Sequence, residues 1–188
     1  WNSGSLVFSK VSSLPFLETD NPNFSGTAGD YDNDGDLDLF ISSSGSAKGL
    51  YRNDQANGNR WINLKLVGTI SNKSALNAKV LVKAVINGAA VWQMREVSAQ
   101  SSFNGMNSLN VEFGFGNATV VDSIIIKWPS GIIDYYAGIA VNQFYTAVEQ
   151  QDLTVGMNEL QNEISATALE IYPNPASTFC RVRTVPSN

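Results

Sequence analysis

Asp30, Asp32, Asp34, Asp36 and Asp38 stand at every second position of Asp30-Tyr31-Asp32-Asn33-Asp34-Gly35-Asp36-Leu37-Asp38. Carboxylates packed this closely repel one another unless a cation compensates. A hard cation such as Ca²⁺ takes roughly six to eight oxygen ligands at about 2.3–2.6 Å, and a tight loop turned by a glycine at its sixth place delivers them. Gly35 holds that place. The expected side-chain ligands are Asp30, Asp32, Asp34 and Asp38, with Asp36 at the seventh place offering its backbone carbonyl. The bland alternative is a solvated acidic turn that binds nothing. An EF-hand is excluded. Its twelfth place needs Glu, where this chain has Ile41, and the apolar Leu39-Phe40-Ile41 reads as a strand and not a helix.

Other chemistries are removed by composition. The 188 residues include no histidine and one cysteine, Cys180. Ser-His-Asp and Cys-His nucleophiles, imidazole shuttles, thiolate metal cages and an intrachain disulfide are therefore excluded. Twelve basic against seventeen acidic residues leave a charge of −5, the wrong sign for wrapping nucleic acid. Glycoside hydrolysis can run on two carboxylates alone. Glu96, Glu112, Asp122 and Asp134 are available for it, but nothing in their spacing pairs them. Asn72, Arg95, Glu96 and Asp122 are the remaining polar candidates. Arg95 and Glu96 are neighbours on an expected strand, so they point to opposite faces, and each reads as one half of an ion pair. Trp61, Trp92 and Trp128 could stack sugars, but core and inter-sheet contacts are the commoner use of such residues. The reading is a non-enzymatic protein. The alternative is a fragment of an extracellular enzyme acting on polysaccharide.

The elements that must position these groups are strands. Apolar and polar residues alternate from Ile62 to Leu66 and again from Leu109 to Phe113, the period of a half-buried strand. Residues 80–86 end at Asn87-Gly88, a hairpin signal whose two central positions need positive φ, and 89–97 form the return strand. Further strands are expected at 120–128, 132–136 and 143–148. Gly114 and Gly116 read as turn chemistry. No helix of ten residues is expected before 150, and 156–164 could form a weak one. The chain divides into a Gly-, Ser-, Asn- and Asp-rich zone over 1–58, a strand array over 59–149, and a polar linker over 150–168. A short strand stopped by two prolines follows. No run of about 20 apolar residues is present, so no membrane-spanning helix is expected. The chain begins at Trp1, without Met or a signal sequence, so a piece of a longer precursor is expected.

Three resemblances follow from particular residues. Ser25-Gly26-Thr27-Ala28-Gly29, the acidic loop, Asp38-Leu39-Phe40-Ile41 and Leu50-Tyr51-Arg52-Asn53 together resemble one FG-GAP/VCBS repeat. That resemblance implies the last four-stranded blade of a β-propeller, with calcium between its first two strands and the other blades ahead of Trp1. Residues 59–149 resemble the ASPIC/UnbV domain through Trp61-Ile62-Asn63-Leu64-Lys65-Leu66, Gln93-Met94-Arg95-Glu96-Val97, Phe113-Gly114-Phe115-Gly116 and Trp128-Pro129-Ser130-Gly131. Asn77 stands where that family usually has Gly, and Phe115 replaces the usual Leu. Tyr172-Pro173-Asn174-Pro175, after Glu170-Ile171, resembles the opening of the type A C-terminal sorting domain of type 9 secretion cargo in Bacteroidota.

The expected fold is all-β: a propeller blade, a β-sandwich-like ASPIC/UnbV domain, and the start of a β sorting tag over 169–188. The expected function is a calcium-stabilised binding or adhesion protein, secreted or held at the cell surface. The tag would engage the type 9 translocon and its shuttle, and a glycan or another surface ligand would be the partner of the mature protein.

Overall fold

The structure, a computed structural model, describes residues 23–44, 48–54 and 58–156, and the backbone alone of Asn23, Phe24, 168–172 and 181–185. It falls into two compact units, residues 1–157 and 158–188. All regular structure among the described residues is β.

The first unit is dominated by a sandwich of two four-stranded sheets. One contains β4 (Arg60–Val67), β7 (Val111–Gly116), β10 (Gln143–Val148) and β11 (Thr154–Val155), in the order β11-β10-β4-β7. The other contains β5 (Lys79–Ile86), β6 (Ala89–Glu96), β8 (Val120–Lys127) and β9 (Ile133–Ala140), in the order β6-β5-β8-β9. Alternation decides which side chains meet between the sheets. Ile62, Leu64 and Leu66 of β4, Val80, Val82 and Ala84 of β5, Phe113 and Phe115 of β7, and Ile124 and Ile126 of β8 make one buried cluster. The Asn87-Gly88 turn has φ of 50° and 80° and joins β5 to β6 with Ile86 opposite Ala89, as its sequence predicts. Asn77, at the place where a glycine is usual, keeps a left-handed backbone at φ 71°. Asn tolerates that conformation better than other side chains do.

Two features of the sandwich lie outside the local pattern. β10 runs parallel to β4, although the two strands are far apart in sequence, while every other strand pairing among the described residues is antiparallel. β11 then pairs with the middle of β10, so the sheet continues beyond residue 149, where the polar linker was expected to begin.

Ahead of the sandwich, β1 (Asn23–Gly29), β2 (Asp38–Ser43) and β3 (Gly49–Tyr51) form an antiparallel three-stranded sheet. It is tied to the segment between β6 and β7. The Ala28 N–H donates to Asn107 Oδ1 at 3.0 Å, the Ser108 N–H donates to the Ala28 carbonyl at 3.0 Å, and the Ser25 and Ser102 hydroxyls bond at 2.7 Å. In the second unit, β12 (Ala168–Tyr172) pairs antiparallel with β13 (Arg181–Val185), and the expected strand before the prolines lies in β12. Tyr172 is its last residue. Pro173, Asn174 and Pro175 lie outside the described residues, as does the expected weak helix beyond Gly156. Among the described residues no helix is long and apolar enough to cross a membrane.

Candidate metal centre and the cleft beside it

The acidic loop is the connection between β1 and β2. Two left-handed residues, Asn33 at φ 62° and Gly35 at φ 95°, fold it back on itself. One carboxylate oxygen from each of Asp30, Asp32 and Asp38 then lies within 4.8 Å of the others. Backbone donors fix two of these groups. Asp30 accepts from the Asp34 and Gly35 N–H groups at 3.1 and 3.0 Å, one on each oxygen. Asp38, only 2% exposed, accepts from Tyr31 and Asn53 N–H at 3.0 and 2.8 Å. Asp32 is held least, with Arg52 Nη1 at 4.0 Å. Burial pushes the Asp30 carboxyl above its ordinary range, against the backbone hydrogen bonds that lower it, and the Asp34 charge adds to the rise.

This trio fits a hard cation, since it offers only oxygen and gathers like charges. Asp34 and Asp36 stand outside it. Asp34 Oδ1 accepts the Asp36 N–H at 2.9 Å, a local turn bond. The Asp36 carboxyl is raised by partial burial and by the charges of Asp34, Asp38 and Asp32.

Gly35 is required for space as well as for its backbone angle. A Cβ there would overlap the indole of Trp61 on β4. Gly35→Ala is therefore expected to destabilise the first unit by about 1–3 kcal/mol, from a strained φ and a forced indole shift. It should also weaken any metal-dependent gain in stability. Thermal melts with calcium and with a chelator measure both effects, and an unchanged melting temperature would contradict the packing argument.

Trp61 is also a wall of a cleft of about 240 Å³ between the acidic loop and the outer face of the β4–β7 ladder. Asp30, Gly35 and Asp36 line one side, and Asn63, Glu112 and Gly114 line the other, with Arg95 at its margin. Burial pushes the Glu112 carboxyl up to about 7. The Asp30 charge adds to that rise, and Arg95 offsets part of it.

The remaining sequence candidates separate. Glu96 forms the cross-strand pair expected of it, 3.8 Å from Lys79. Arg95 instead lays its guanidinium 5.3 Å from the centre of the Phe113 ring and donates to the Met94 carbonyl. Asn72 closes a local loop on Leu76, donating to its carbonyl and accepting its N–H. Asp122 is half-buried on β8. The three tryptophans have separate environments. Trp128 is buried and donates to Asp134 at 2.7 Å, Trp61 meets Phe144 edge-on at 4.9 Å, and Trp92 is half exposed on edge strand β6.

Sequence reasoning passed over Asn63 and Glu149. Asn63 sits on β4 between the core residues Ile62 and Leu64, whereas Glu149 directly follows β10 and precedes exposed Gln150, so only Asn63 carried a local signal, a polar residue flanked by core residues.

Glu149 is 1% exposed. Its Oε2 accepts three successive N–H groups, from Thr69, Ile70 and Ser71, each at 2.8 Å. Its Oε1 accepts the Ser71 and Ser130 hydroxyls. Burial alone would raise this carboxyl, but the hydrogen bonds from Ser130, Ser71 and Thr69 outweigh it and hold the group at about 2. With its hydrogen-bonding satisfied in this way, Glu149 is a structural anchor.

Residues 68–154 match the family described as ASPIC and UnbV. The match begins just after β4 and ends in β11, so it includes most of both sheets. No curated protein matches the chain. By sequence, an ASPIC/UnbV domain is thus found at residues 68–154, within the sandwich.

Proposed function

We propose that the protein is a non-enzymatic binding or adhesion protein, secreted or displayed at the cell surface, whose acidic loop takes Ca²⁺ as a structural ion. The observation that carries this is the convergence of the Asp30, Asp32 and Asp38 carboxylates in a loop shaped by Gly35. Its setting supports it, because ASPIC/UnbV domains typically occur in secreted or cell-surface proteins. Extracellular calcium is high enough to fill even weak loop sites of this kind. The loop and its flanking strands are read as the last blade of an FG-GAP/VCBS propeller. The test is whether calcium raises the melting temperature through Asp32, as argued in the Discussion.

Export is proposed to run through the type 9 system, with residues 169–188 engaging the translocon and its shuttle. The support is the resemblance of Tyr172-Pro173-Asn174-Pro175 to a sorting-domain opening. In a bacterium carrying that system, deleting 169–188 is expected to leave the protein inside the cell envelope. Surface labelling with and without the deletion checks this, and undiminished display of the shortened chain would refute it.

A further inference from the structure

The cleft beside the acidic loop contains two buried oxygens with no hydrogen-bond partner, Asn63 Oδ1 and Glu112 Oε1. The Asn63 residue is only 2% exposed. Buried polar atoms in folded proteins are nearly always paired, so orphans that line a cavity call for an explanation. Asn63 and Glu112 are direct partners in the antiparallel β4–β7 ladder, so their side chains project from the same face. That face is opposite the acidic loop.

The identity of the orphans selects the ligand. Asn63 Oδ1 is an acceptor, and Glu112 Oε1 accepts whenever its carboxyl, pushed up to about 7, is ionised, so a donating ligand satisfies both. Beyond the loop carboxylates the orphans add only two oxygens, fewer than the roughly six a cation needs, and Arg95, which also lines the cleft, works against a cation there. A neutral, donor-rich molecule meets both sides. Its hydroxyls can donate to Asn63 and Glu112 and accept from Arg95, which has five N–H donors. Trp61 supplies a flat apolar wall. Gly114 leaves the floor open, since a Cβ there would meet no atom within 4 Å. The volume, about 240 Å³, is below the roughly 300 Å³ at which pockets for drug-sized ligands begin. It suits one ring.

We propose that this cleft is a subsite for a single sugar residue, whose hydroxyls donate to Asn63 Oδ1 and Glu112 Oε1 while an apolar ring face lies against Trp61. The inference deepens the binding reading above by naming a ligand class, and it does not depend on the calcium reading.

The test titrates the full chain with methyl glycosides of glucose, galactose, mannose and N-acetylglucosamine, and with methylammonium as a donor lacking a ring. Saturation-transfer NMR reports the contact. At least one glycoside is expected to bind in the millimolar range. Asn63→Leu is nearly isosteric and replaces an orphan polar group by an apolar one. It should keep or raise the melting temperature while weakening the sugar by about tenfold or more. Gly114→Val should do the same to the sugar by filling the floor, at a position whose strand backbone accepts a side chain. The proposal is overturned if no glycoside binds, if both variants bind it unchanged, or if methylammonium binds in its place. Melts with calcium and chelator on the same samples keep the two readings distinguishable. A calcium shift without sugar binding removes only this proposal, and sugar binding without a calcium shift removes only the ion.

Discussion

Glu149→Ala is expected to destabilise the sandwich by about 3–5 kcal/mol, enough to threaten folding at 37 °C. Few single side chains carry so much. The Glu149 carboxylate gathers the loop after β4, through Thr69, Ile70 and Ser71, and the turn after β8, through Ser130. These belong to opposite sheets, so one charge fastens the two layers at that end. Removing it leaves three backbone N–H groups and two hydroxyls to find other partners, and each orphaned donor costs about 1–3 kcal/mol when it stays buried. Water entering the space recovers part of that. Glu149→Gln keeps the size and loses the charge, so it should fall between wild type and Ala.

The pH dependence has a definite sign. The folded-state value of about 2 lies below the ordinary 4.5. The contribution is thus fully present above the unfolded value and is lost as pH falls from there through the folded value. Melting temperature should decline across that acid window, and the decline should be shallower in Glu149→Gln. Identical acid profiles for the two proteins would show that the group is not linked to folding in this way.

Calcium is expected to raise the melting temperature of metal-free protein by about 3–10 °C at 10 mM. This assumes a dissociation constant of about 0.1–1 mM, typical of extracellular loop sites, which gives about 1.4–2.7 kcal/mol by mass action. Asp32→Asn is the sharpest probe. Asp38 also anchors Tyr31 and Asn53, and Asp30 anchors Asp34 and Gly35, so changing either damages the loop even without metal. Asp32 faces the distant Arg52 among the described residues. The variant should melt with wild type in chelator and fail to respond to calcium. A wild type that ignores calcium, or a variant that responds in full, would each defeat the reading.

Much of this was readable from the chain, and the limits have physical causes. Period-two alternation placed β4 and β7, because one face of each must be buried. Asn87-Gly88 placed the hairpin because few other pairs accept two positive φ values. The acidic loop announced itself by charge density, yet spacing alone nominated four side-chain ligands where the fold gathers Asp30, Asp32 and Asp38. The Asp34 carboxylate is turned to its neighbour's N–H, and that choice depends on the Asn33 and Gly35 backbone. The parallel union of β10 with β4 leaves no local mark at all. The meeting of Asn63 with Glu112 follows from ladder register, and Glu149 looked like the first polar residue of a tail.

The same union sets how the domain answers to tension applied between its two ends. Six residue pairs join β10 to β4 in parallel, from Gln143 with Ile62 to Val148 with Val67. Force drawn backward at Arg60 and forward beyond Val148 slides one strand along the other, loading all six rungs in shear together. Before that force arrives, β11 must be peeled from β10, where two ladder pairs, Tyr145 with Val155 and Thr146 with Thr154, and the bonds of Gly156 to Phe144 and Thr146 hold it. The C-terminal end of the domain is thus a weak zipper in series with a strong shear clamp, so a modest pull lengthens the chain there while the sandwich stays closed.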